Sequence, residues 1–148
     1  SWDTPIYYLA FHGEPGAVKS VLDRIGGETL LEAFRSYGKC GHNSLIYFAA
    51  CNVLCGSEGE TFARDFLAAS GCREVIGYTT NVDWMQSLVT DMLFLQRFYT
   101  DQDPWNNLAA IFASVKDDYR PAQSLGYTLL EADNSSPPQP PEKVAPTL

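Results

Sequence analysis

Ser44-Leu45-Ile46-Tyr47-Phe48-Ala49-Ala50-Cys51 is the stretch that decides how this chain is read. It carries no charge, is aromatic and β-branched-rich, and ends in a thiol. No useful alternation runs through it, so it predicts a strand buried on both faces. A second run, Ile6-Tyr7-Tyr8-Leu9-Ala10-Phe11, reads the same way and stops at His12-Gly13. Buried parallel strands lie side by side, and their C-terminal ends open into the crevice where α/β proteins keep their chemistry. His12 and Cys51, 39 positions apart in the chain, are therefore expected at one sheet edge. An imidazole beside a thiol is the arrangement that makes a cysteine nucleophilic at neutral pH.

The order of elements extends outward from these two runs. Glu14-Pro15-Gly16 reads as a turn or loop, and residues 17–22 as a short extended segment. Gly26-Gly27 breaks the chain. Leu30, Leu31, Ala33, Phe34 and Tyr37 have helical spacing, and Gly38 and Gly41 stop that helix. After a loop at Gly56-Ser57-Glu58-Gly59, a helix over 60–69 turns Phe62, Ala63, Phe66 and Leu67 inward, and Gly71 is a good C-terminal cap. Residues 74–79 predict a third strand. Asp83 can cap a long helix reaching Tyr99, with Met85, Leu88, Val89, Met92, Leu93, Leu95 and Phe98 at core-like spacing. Pro104 suits the first position of a further helix running to about Tyr119, and Pro121 ends it. A last strand is expected over 125–130. Strands alternating with helices predict an α/β fold, a mostly parallel sheet with crossover helices.

Composition bounds the rest. A chain of 148 residues, 45% hydrophobic, is one domain with a real core. The domain is expected over 1–132. Residues 133–148 hold five prolines and almost no large apolar residues, the composition of a disordered proline-rich tail. A net charge of −8 and a pI near 4.5 argue against nucleic acid, which needs clustered Lys and Arg. No apolar run reaches the length of a membrane span. The four cysteines, Cys40, Cys51, Cys55 and Cys72, make no disulfide framework, and no signal peptide precedes the first strand, so a reducing cytoplasm is the expected compartment. Cys51 and Cys55 form a C-x3-C pair without a second ligand pair, and no metal or cofactor is expected.

Strand-His-Gly followed by strand-Ala-Ala-Cys resembles the caspase-haemoglobinase fold of cysteine peptidases, within it the CHAT-type bacterial caspase-like domains and separase. The resemblance spans about residues 6–130. Ala49-Ala50-Cys51 stands where such domains place a small residue and the Cys at a strand end. Glu58-Gly59 with the segment from Phe62 to Leu67 resembles their Gly-rich loop and next helix. The stretch from Val75 to Asp83, then a long helix ending in Arg97-Phe98-Tyr99, resembles the segment after their third strand. Two features depart from the pattern. The Gly that usually follows the Cys within two or three residues is delayed to Gly56, and Thr79-Thr80-Asn81 replaces a Trp.

The resemblance implies a caspase-like three-layer sandwich with one or two strands before the His-bearing strand. This chain lacks them, which leaves strand 6–11 with an open edge, a condition natural proteins avoid. The chain is accordingly expected to be a fragment, a processed subunit or half of a swapped assembly. Its implied partners are a peptide or protein substrate and an upstream segment or partner subunit, with a homo-oligomer also open.

The implied activity is that of a cysteine endopeptidase acting after a basic residue, in regulated bacterial proteolysis or defence by analogy of fold alone. Cys51 is the candidate nucleophile, against a buried structural role, with Cys55 as fallback. His12 is the candidate general base and later acid. Gly13 and Cys51 would supply the oxyanion-hole N–H groups that the resemblance implies. Asp83 is the candidate pocket residue for an Arg or Lys side chain, against a plain helix cap. His42, near a helix end, reads as exposed or capping. Two other classes stay open. One is a catalytically silent caspase-like interaction module or partner-dependent subunit. The other is a flavodoxin-like or receiver-type domain, disfavoured because no phosphate loop or acidic cluster sits at the strand ends.

Overall fold

The computed structural model describes residues 6–19, 23–37 and 44–132. Cys40, His42 and the tail expected over 133–148 lie outside the described residues. Along the chain run β1 (Ile6–Ala10), β2 (His12–Glu14), β3 (Ala17–Lys19), β4 (Arg24–Gly26), α1 (Gly27–Tyr37), β5 (Leu45–Ala49), α2 (Gly56–Ser70), β6 (Glu74–Tyr78), α3 (Trp84–Thr100), α4 (Leu108–Asp118), α5 (Arg120–Ser124) and β7 (Tyr127–Glu131).

The main sheet has the order β1-β5-β6-β7. The first three strands are parallel, and β7 returns antiparallel beside β6. The α/β class and the mostly parallel sheet are as the sequence predicts. The charge-free residues of β5 are buried on both faces because helices cover both. Ile46, Phe48 and Ala50 pack with Leu31 of α1 and Phe62 and Phe66 of α2. Leu45 and Tyr47 pack on the opposite face with Phe94, Ile111 and Val115. Each large side chain so buried stabilises the fold by about 1.5–3 kcal/mol.

Several expectations need correction. β1 is not buried on both faces. It is an edge strand, and Tyr8 and Ala10 are exposed. Glu14-Pro15-Gly16 is a turn, as its composition predicts, but it joins two strands of a second, antiparallel sheet, β2-β3-β4, that the sequence did not show. The delayed α4 begins at Leu108, with Pro104 in the preceding turn rather than at a helix start. Pro121 does not end a helix but sits in the first turn of the short α5. Gly71 caps α2 as expected, with φ 72° and its N–H donating to the Leu67 carbonyl.

The largest correction concerns α3. Met85, Leu88, Val89 and Met92 face solvent, and the buried positions are Thr90, Asp91, Phe94 and Phe98. This helix is apolar on more than one side, so spacing alone does not say which side meets the sheet. Polar chemistry orients it. Three hydroxyls rise from that sheet face, and Asp91 accepts from all of them: Tyr8 and Tyr47 at 2.6 Å each, and Tyr78. Burial pushes the Asp91 carboxyl up from its ordinary range, while the three tyrosine donors pull it back down.

A second buried carboxylate lies at the other end of β6. Glu74 pairs with the solvent-facing Arg73 at 2.7 Å, faces Glu131 across the β6–β7 ladder, and leaves Oε2 buried without a partner. Burial outweighs the Arg73 attraction and raises its pKa to about 7. Between the ordinary carboxylate range and pH 7 the folded protein therefore holds a proton that the unfolded chain has released, so stability falls as pH rises through that window. Glu74→Gln should raise unfolding free energy by about 1–2 kcal/mol at pH 8, less than the full shift because solvent screens the Arg73 side. At pH 5 it should change little. Urea unfolding at the two pH values checks this, and an equal effect at both would contradict it.

Candidate functional site

Register brings the two predicted residues to one edge. The last β1–β5 pair is Ala10 with Ala49, so His12 and Cys51 each stand two residues beyond it. The close approach is visible at Gly13. A Cβ there would lie 2.0 Å from the Cys51 carbonyl oxygen, 2.6 Å from Val53 Cγ2 and 3.0 Å from Ala50 Cβ. Only glycine lets β2 cross the Cys51 turn at this distance. Gly13 thus faces Ala50 and Val53, which belong to the core on the α1–α2 side.

Cys51 sits half-buried. Its Sγ accepts from the Val82 N–H at 3.4 Å and lies 3.9 Å from the Val82 carbonyl oxygen. The thiol is therefore aimed at the β6–α3 loop. Among the described residues no hydrogen bond joins it to the His12 imidazole, which is exposed. The structure brings the two residues to one edge and leaves them unbonded.

The turn after Cys51 is made by Asn52, whose φ is +54°. Asparagine is one of the few residues that enter this left-handed region readily. The turn is tied to the neighbouring loop: the Asn52 N–H donates to the Thr80 carbonyl at 2.9 Å, and its side chain reaches Asn81. The loop is anchored in turn by Thr80 Oγ1, which donates to the Leu125 carbonyl at 2.8 Å. The sequence held a signal for this in Asn52 itself, a turn-former directly after the candidate nucleophile.

Asp83 caps α3. Its Oδ1 accepts from the Met85 N–H at 3.1 Å and the Gln86 N–H at 3.0 Å. Both cap bonds use one oxygen, and the side chain is exposed at the rim beside Val82. Cys55 immediately precedes α2, and Cys72 is buried near Ser44.

A cavity of about 670 Å3 lies elsewhere, between the Pro15-Gly16 turn, α1 and α2. Glu28, Glu58 and Asp65 line it, with Arg24 held by Glu14. It includes none of His12, Cys51 or Asp83. Among the described residues no three His, Cys, Asp or Glu side chains gather as a metal ion would need, and no helix is long and apolar enough to cross a membrane. What the edge itself offers is a thiol, an imidazole, backbone N–H groups at Gly13 and Cys51, and one carboxylate, the groups that acyl transfer uses. No family model matches the chain, and searches of characterised proteins and of solved structures found no match.

Proposed function

We propose that this chain is a caspase-like cysteine endopeptidase domain in which His12 and Cys51 form the catalytic dyad. The observation that supports the reading is the register of β1 and β5, with Gly13 packed on the Cys51 turn, which brings residues 12 and 51 to one sheet edge. In this reading His12 takes the thiol proton and the Cys51 sulfur attacks the peptide carbonyl carbon. The N–H groups of Gly13 and Cys51 receive the oxyanion. As the tetrahedral intermediate collapses, the imidazolium gives its proton to the leaving amine, and a thioester remains. Water then hydrolyses the thioester, with His12 as base. A rotation of the thiol away from Val82 precedes attack, since catalytic hydrogen bonds often tighten only with substrate bound.

Asp83 is the residue proposed to select Arg or Lys before the cleaved bond. Its two cap bonds occupy Oδ1 alone, and a guanidinium would pair with the other oxygen. A second reading, a catalytically silent caspase-like module or partner-dependent subunit, is favoured by one observation: the Cys51 sulfur is engaged by Val82 rather than by His12.

Incubation with a peptidyl-Arg acyloxymethyl ketone, followed by intact mass spectrometry and peptide mapping, separates the two. The peptidase reading expects an adduct on Cys51, absent in Cys51→Ala. Cys51→Ala and His12→Ala should each lower cleavage of an Arg-containing peptide by at least about 10²-fold with unchanged circular dichroism. Full activity in either variant would sink the mechanism, and a folded protein that takes no label supports the silent module.

Asp83→Asn tests specificity apart from capping, because asparagine caps as well as aspartate. Loss of a charge-assisted bond should lower kcat/KM for the Arg peptide by about 10–100-fold at unchanged melting temperature. If neither quantity moves, Asp83 is a cap and nothing more. Gly13→Ala should destabilise the fold by about 3 kcal/mol, as overpacking against fixed backbone does, measured by urea unfolding. A variant as stable as the parent would contradict the close approach.

A further inference from the structure

Large apolar side chains are exposed in one region only among the described residues. Trp84, Met85, Leu88, Val89, Met92 and Tyr99 are 39–71% exposed and all lie on α3. Their spacing places them on a single outward stripe of that helix. The other two, Tyr8 and Phe11, belong to β1 and the residue after it. Tyr8 adjoins the helix, because its hydroxyl donates to Asp91 of α3 at 2.6 Å. Beside them runs the outer edge of β1, which has no neighbouring strand among the described residues.

The edge carries none of the devices that protect an uncovered strand. Ile6–Ala10 has no lysine, no proline and no charge. From Trp84 to Gln96 the one charged residue is Asp91, which is buried under three tyrosine hydroxyls. The chain as a whole carries −8, and it has kept this face free of that charge.

We infer that this face is the contact between two copies of the chain. A two-fold axis perpendicular to the sheet sets β1 antiparallel to its copy and α3 beside its copy on the same face. Both halves of the patch are then satisfied together. The edge backbone gains a ladder and the apolar stripe gains a partner, in one continuous eight-stranded sheet. Like charges facing each other would oppose such a contact between two acidic molecules, and the face has none exposed. A strongly charged partner would find nothing here to pair with.

The size is sufficient. Eight large side chains keep 39–71% of their surface exposed, and at about 150–250 Å2 for a whole aromatic that leaves a patch of several hundred Å2, on the order of the roughly 800 Å2 that a standard interface takes from one partner. The methionines among them adapt to an identical facing surface. The inference stands apart from the chemistry at Cys51.

Sedimentation velocity of the full chain at tens of micromolar tests it. The expected species has twice the 16.4 kDa monomer mass. Leu88→Glu and Met92→Glu, both at exposed positions, should each convert it to monomer with unchanged circular dichroism. Ala113→Glu, on the solvent side of α4, should leave the dimer intact. Backbone amide exchange in β1 should slow as concentration rises. A folded monomer at these concentrations overturns the inference and gives the face to another polypeptide. So does a dimer indifferent to the α3 variants, one broken equally by Ala113→Glu, or one that leaves β1 exchange unchanged.

Discussion

One buried carboxylate orients much of this molecule. Asp91 accepts hydroxyl hydrogen bonds from Tyr8, Tyr47 and Tyr78, one on each of three adjacent parallel strands. A lone carboxylate in a core is costly unless its oxygens are satisfied, and removing donors from it leaves an uncompensated buried group. Here three donors converge, and burial raises the tyrosines as well as the acid above their ordinary ranges. The network therefore holds α3 in one rotation about its own axis. That rotation has two results: the loop before α3 presents the Val82 N–H to Cys51, and the apolar stripe of α3 is left exposed.

The candidate site and the proposed contact face share this support from opposite sides. Val82 and Asp83 end at the Cys51 edge, while Trp84 and Met85 begin the exposed stripe. A molecule docked on the stripe would press on the same helix start that Asp83 caps. The proposed chemistry at the edge and the proposed association at the face are separate, yet both depend on where α3 begins and how it is turned.

Much of the fold was legible because local physics decides it. β5 and β6 are uncharged or nearly so and cannot face water. Asp83 and Gly71 cap helices through their own side-chain and backbone geometry. His12 and Cys51 reach one edge because both follow strands that end level. The misses are also physical. β1 resembles β5 in composition, and nothing local tells an edge strand from a central one. Tyr8, Tyr47 and Tyr78 read as apolar strand residues, while their hydroxyls set the helix. Asp91 has no local feature that marks its role. Asn52 gives only a weak local sign of its turn, since asparagine can take a positive φ but need not.

The sequence by itself determined the main-sheet strands, the caps of α2 and α3 and the level of His12 and Cys51, since these follow from periodicity, caps and strand length over a few neighbouring positions. Only the tertiary structure decided which side of α3 is buried, which loop meets the thiol and which strand is left at the edge. Those choices rest on groups distant in the chain, such as Tyr8 and Asp91 at 83 positions apart. A hydrogen bond between them has no local signature, and it forms only once the sheet has lined the hydroxyls up.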